Sequence, residues 1–170
     1  MLSRSGKVRN ELLELGASRG CAADTKVRDT NQDQPMQVQL DQLRHRYPAI
    51  FANLRWGFMC HDGWFDLIDA LCEQLQFATD HNDAPQVVAA QVKEKFGTLS
   101  FYTQSANKAQ RGMIAVAAAM SARLCEKCGQ PGRTLVAGAF WQTRCPAHAP
   151  EEAETAEEFL ARCGVPGIAP

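Results

Sequence analysis

Apolar residues recur along the chain at two spacings. Met36, Leu40, Leu43 and Tyr47 fall at i, i+4, i+7 and i+11, which predicts an amphipathic helix that Pro48 ends. Trp64, Ile68, Leu71, Cys72 and Leu75 form a second helical stripe, with Asp62 as a candidate N-cap and Asn82-Asp83-Ala84-Pro85 as its stop. Residues 49–63 join the two through Ile50, Phe51, Leu54, Trp56, Phe58 and Met59, an aromatic-rich connection expected to be buried.

Residues 87–104 change to period two. Gly97-Thr98 supplies the Gly-X pair of a type II′ turn, which sets Phe96 opposite Leu99, Glu94 opposite Phe101 and Val92 opposite Thr103. The other face of this hairpin then carries Lys93, Lys95, Gln91, Ser100, Tyr102 and Gln104. A third helix is expected over 105–123, with Met113, Ala117, Met120 and Leu124 facing the core. A last one is expected over 150–163, its glutamates at the positive N-terminal end and Gly164 as its stop.

Residues 1–35 have no aromatic residue and no sustained apolar period, so they read as a flexible extension, or as the product of an upstream start codon. The predicted fold is α+β: a helix-helix-hairpin-helix core over 36–124, a zinc ribbon or treble-clef module with a C-terminal acidic helix over 125–163, and a tail at 164–170.

The chemistry concentrates just beyond the third helix. Cys125 and Cys128 are followed after sixteen intervening residues by Cys145 and His148, each pair separated by two residues. Two such pairs flanking a short loop match the donors and spacing of a structural zinc site. Three thiolates and one imidazole fill a tetrahedron, so one structural zinc per chain is the expectation, with free thiols or a disulfide as the alternatives. The filled site carries a net charge of about −1, which Lys127, Arg133 and Arg144 stand close enough in sequence to offset.

Composition narrows the remaining choices. A formal net charge of −1 over 170 residues argues against a strongly basic nucleic-acid binder but leaves room for a local patch. No apolar run reaches the ~18 residues of a membrane span and no signal-peptide core is evident, so membrane partners are not expected. Seven cysteines, three of them clustered with His148 as four potential metal donors, fit a reducing cytoplasm better than a secreted disulfide framework. Residues 125–148 carry Lys127, Arg133 and Arg144 against Glu126, a net +2, whereas 149–170 carry five glutamates against Arg162, a net −4.

Three further groups are candidates for function. Cys60-His61-Asp62 places a thiol beside an imidazole, but chain neighbours usually point apart; a buried Cys60, an exposed His61 and a capping Asp62 are expected. Glu94 shares the apolar hairpin face, where a carboxylate is costly unless paired; a place at the sheet margin or beside an arginine is expected. Lys93, Lys95 and Tyr102 form a candidate binding surface with Glu94 at its edge.

The strings Trp56-Gly57-Phe58-Met59-Cys60-His61-Asp62-Gly63-Trp64, Val92-Lys93-Glu94-Lys95-Phe96-Gly97-Thr98-Leu99, Cys125-Glu126-Lys127-Cys128-Gly129 and Trp141-Gln142-Thr143-Arg144-Cys145 resemble a family of small uncharacterised proteins of bacteriophages and proteobacterial prophages. The resemblance covers roughly residues 43–148 and implies a cytoplasmic, phage-associated setting without an established activity. The functional expectation is a zinc-stabilised protein-interaction or host-modulating factor. The alternative is a zinc-module nucleic-acid binder using the basic hairpin face. No catalytic constellation is evident, and the oligomeric state is left open.

Overall fold

A computed structural model describes residues 38–164; the proposed N-terminal extension, Met36 and positions 165–170 lie outside the described residues. The architecture is mixed α+β. Among the described residues the order is α1 (Val38–Arg46), β1 (Phe58–Met59), α2 (Phe65–His81), β2 (Ala89–Lys95), β3 (Thr98–Thr103), α3 (Lys108–Ser121), β4 (Arg133–Ala137), β5 (Phe140–Arg144), β6 (Glu154–Thr155) and α4 (Ala156–Arg162), with short 3₁₀ turns at Asp62–Trp64 and Pro146–His148.

The second expected stripe buries, and so do Leu40 and Leu43 of the first, whose Tyr47 is partly buried. Leu40 and Leu43 of α1 and Ile68, Leu71, Cys72 and Leu75 of α2 join Trp64, Ile50, Phe51 and Leu54 in one apolar core. The connection between these helices is buried only in part, because Trp56 and Met59 are exposed while their neighbours turn inward. Asp62 caps a different helix from the one expected: its Oδ1 accepts the Leu40 N–H at 3.3 Å, in the first turn of α1. The N-cap of α2 is Trp64, which makes no side-chain cap bond.

β1, β2 and β3 form one sheet in that order, β1 parallel to β2 and β2 antiparallel to β3. The hairpin turns one residue earlier than expected, at Phe96-Gly97, both of which have positive φ (53° and 77°), as a type I′ turn requires. Glu94 therefore faces Leu99, Val92 faces Phe101 and Lys93 faces Ser100, while Phe96 leaves the apolar face and is exposed. The shift moves the register by two along β3, so the division into faces survives. Val92, Leu99 and Phe101 are buried, and Met59, Lys93, Lys95 and Tyr102 lie on the open side.

α3 covers the inner side of this sheet. Asn107 and Gln110 form a reciprocal capping box at its start. Its inward face is rotated from the expected one: Gln110, Ala117 and Ser121 are buried, whereas Met120 is exposed. Two hydrogen bonds set that rotation. Gln110 Nε2 donates to Pro85 O at 2.8 Å, and Ser121 Oγ accepts the Leu99 N–H at 2.7 Å.

β4 and β5 make a second hairpin, and the two-residue strand β6 adds to the outer edge of β4. β6 takes up part of the segment expected to be helical, so α4 begins at Ala156 rather than 150, capped by a Thr155–Glu158 box and stopped at Gly164. No helix among the described residues is long and apolar enough to cross a membrane.

Candidate metal centre and binding surface

Cys125 and Cys128 sit on a knuckle turn. The Gly129 N–H donates to Cys125 O at 2.8 Å, and Gly129 has a φ of +71°, a conformation that suits a residue without a Cβ. Cys145 and His148 flank the 3₁₀ turn that leaves β5. These residues bring Sγ of the three cysteines and a ring nitrogen of His148 within 4.8 Å of one another.

The separations test the donor set. Cys128 Sγ and Cys145 Sγ are 3.6 Å apart, and His148 Nδ1 stands 3.6 Å from Cys125 Sγ and 3.3 Å from Cys145 Sγ. A metal bound tetrahedrally at ~2.3 Å from sulfur and ~2.0 Å from nitrogen has edges of about 3.5–3.8 Å. These three separations lie near the tetrahedral edges, and the four side chains could hold one metal ion. Sulfurs at this distance are not bonded, and the six described cysteines are free.

Electrostatics favours the thiolate form on one side of the cluster. Burial pushes the Cys125 thiol up, but N–H groups of Cys145, Cys128 and Lys127 directed at its sulfur outweigh that effect and bring it down to about 6. Cys128 goes the other way, to about 11, through burial and the neighbouring sulfurs. The surrounding protein thus stabilises a negative sulfur at Cys125 more readily than at Cys128.

The knuckle is joined to the core by a seam that no local pattern announces. The Gly63 N–H donates to Glu126 O at 2.9 Å, and Trp64 Nε1 donates to Leu124 O at 3.0 Å. A Cβ on Gly63 would stand 2.4 Å from Cys125 O and 2.5 Å from Cys128 N, so only glycine fits. On the opposite flank, Thr143 Oγ1 donates to Gly97 O at 2.6 Å, tying the tip of the first hairpin to the second.

Glu126 is the polar centre of the seam. Its carboxylate is buried and accepts from His61 N at 3.1 Å, His61 Nδ1 at 2.9 Å and Arg144 Nη1 at 2.8 Å. An ionised carboxylate only accepts, so the His61 proton is on Nδ1. Burial raises the Glu126 pKa, but the bonds from His61 and Arg144 outweigh it, and the net shift is downward. Sequence reasoning had no signal for this network, because Glu126 lies 65 residues from His61 and its role as a buried acceptor follows from the fold alone.

The other candidates separate accordingly. His61 is not a free exposed imidazole but a half-buried partner of Glu126. Cys60 is buried, its thiol pushed up to about 12 by desolvation first and then by nearby carboxylates, which suits packing rather than reactivity. Cys72 is a core residue. Arg144 is buried in the ion pair with Glu126, so it adds nothing to a basic surface; Lys127 and Arg133 are exposed. Glu94 is half-buried with its pKa raised by burial, and its Oε1 accepts the Gly97 N–H at 2.6 Å; the arginine partner goes to Glu126 instead. Trp141 packs edge-on against Phe159 of α4, with ring centroids 5.6 Å apart.

The open side of the first sheet keeps its expected character. Lys93 Nζ lies 5.3 Å from the Tyr102 ring centroid, and Lys95 Nζ lies 5.4 Å from that of Phe96. At Tyr102, toward the start of β2, runs a groove of about 490 Å³ lined in part by Arg55 and Trp56. Set against protein-family models, curated proteins and solved structures, the chain gives no match.

Proposed function

We propose that this chain is a small binding protein whose fold is stapled by one structural zinc ion and whose working surface is the open face of the β1–β2–β3 sheet. The observation that carries the proposal is the contrast at the metal cluster: all four protein donors point at one place, and the knuckle they share is pinned to Gly63 and Trp64. A donor set of three sulfurs and one nitrogen completes the usual zinc tetrahedron and leaves no coordination position for substrate. When bound, the metal supplies folding free energy. The second ligand pair stands on a helical turn rather than a second knuckle, which favours a treble-clef arrangement over a ribbon.

The sheet that this staple holds presents Trp56, Met59, Phe96 and Tyr102 to solvent among Arg55, Lys93 and Lys95. Exposed large apolar side chains grouped with cations are a recognition feature rather than a packing one. The first reading is a protein partner in the cytoplasm, in the protein-interaction or host-modulating role expected of a phage or prophage protein. A second reading, nucleic acid, is favoured by the groove at Trp56 and Tyr102, none of whose lining residues is acidic.

Affinity capture from the native host, with Lys93→Glu/Lys95→Glu as the control bait, tests the proposal. A partner retained by the natural chain and lost by the double variant supports it. Retention that the variant leaves unchanged removes the open face from consideration.

A further inference from the structure

The three tryptophans have three different environments. Trp64 is fully buried and hydrogen-bonded, and Trp141 is half-buried against Phe159. Trp56 is 75 % exposed, and its position in the fold gives it no packing role. It sits on the loop that leads into β1, between exposed Arg55 and Gly57, whose φ of +67° turns the chain there.

Across the groove from this loop stands Tyr102 of β3, 43 % exposed, with Lys93 over its ring. Asn53, Gln91 and Gln104 complete the polar lining, and their side-chain amides have no hydrogen-bond partner among the described residues. An amide carries both a donor and an acceptor, the pattern that a base edge answers. Flat aromatic faces, free amides and flanking cations are the three components of a single-strand site: stacking, edge contacts and phosphate contacts. An acidic peptide would answer the cations, and its backbone N–H and C=O groups the amides, but a run of carboxylates offers no flat face to the two rings.

We propose that this groove binds single-stranded nucleic acid, with bases stacking on Trp56 and Tyr102 and the phosphate backbone passing Arg55, Lys93 and Lys95. The inference rests on the reading of the open sheet face as the working surface and takes its second reading, nucleic acid, over a protein partner at this groove. The net charge of −1 is no obstacle, because the acidic stretch lies in the C-terminal segment whereas the groove has no carboxylate in its lining.

Fluorescence anisotropy of the full chain with labelled oligo-dT, oligo-U and a duplex of equal length tests it. Either single strand, or both, should bind more tightly than the duplex. The logarithm of the association constant should fall with the logarithm of salt at a slope of about −2, the value for three phosphate contacts on a single strand. Trp56→Ala should weaken binding roughly 5- to 150-fold, and Trp56→Phe should restore most of it, since stacking needs a ring rather than an indole. Thermal unfolding of both variants should match that of the natural chain, because the side chain is exposed.

Absence of binding to either single strand at low salt would overturn the inference, as would affinity indifferent to Trp56→Ala. So would equal binding of a poly-glutamate peptide. If the oligonucleotides fail but Lys93→Glu/Lys95→Glu still abolishes capture of a protein partner, the ligand class is wrong and the open-face reading stands. If neither assay depends on those residues, both fall.

Discussion

The seam between knuckle and core and the open face of the first sheet treat side chains in opposite ways. At the seam, Gly63 gives up its side chain so that two backbones can touch, and buried Glu126 and Arg144 pair with each other and with half-buried His61. On the open face, Trp56, Phe96 and Tyr102 stand in solvent with lysines beside them. The seam is built for stability, and the open face is the surface we propose for binding. Mutations should therefore divide cleanly: large effects on folding and none specific to binding at the seam, and the reverse at the face.

The largest effect is expected from Cys128→Ser, which removes one of the four donors proposed to hold zinc. The proposed zinc should drop from one per chain toward none and the cooperative unfolding transition should be lost or strongly weakened, as metal analysis and urea unfolding would record. Gly63→Ala comes next. Its methyl would meet backbone atoms of Cys125, Glu126 and Cys128 at 2.4–2.5 Å, where nothing flexible can yield, and a loss of about 3 kcal/mol or more is expected in the same unfolding assay.

Glu126→Ala should cost a similar ~3–5 kcal/mol by leaving Arg144 buried without its counter-charge, and the companion change Arg144→Met should recover part of that loss. The pH dependence has a definite sign. Because the folded pKa of Glu126 is depressed, its stabilising contribution is present above the ordinary glutamate range and is lost as pH falls through the folded value. Acid titration of the unfolding midpoint should show that loss in the natural chain and a flatter profile in Glu126→Gln.

Glu94 provides the reverse case. Its raised pKa means that burial makes the charged form unfavourable at neutral pH, a cost relieved as pH falls through the folded value. Glu94→Gln can still accept from Gly97 N–H and should be neutral or stabilising by under ~1 kcal/mol, since solvent still reaches the group. The smallest stability effects belong to Trp56→Ala and Lys93→Glu, within about 0.5 kcal/mol of the natural chain.

How far the sequence revealed this arrangement depended on distance along the chain. The cluster of four candidate donors was legible because each pair is local and spaced by two residues, and the α2 stripe because five apolar positions repeat within three turns. The hairpin faces were legible for the same reason, but its turn was not: Phe96 takes a positive φ that phenylalanine rarely adopts, so Gly97 is the second turn residue rather than the first. β1 and β6 have two residues each, too few for a period to show. The rotation of α3 depends on Ser121 meeting Leu99 N–H, and the seam depends on Gly63 meeting Glu126, contacts that span 22 and 63 residues. Such contacts exist only once the chain has folded.

Urea unfolding of the natural chain, Cys128→Ser and Trp56→Ala, run side by side, tests the division most directly. The Cys128→Ser midpoint should collapse toward zero denaturant while Trp56→Ala unfolds with the natural chain. A Cys128→Ser protein that unfolds at the natural midpoint would contradict the account, because the fold would then not depend on the proposed metal staple.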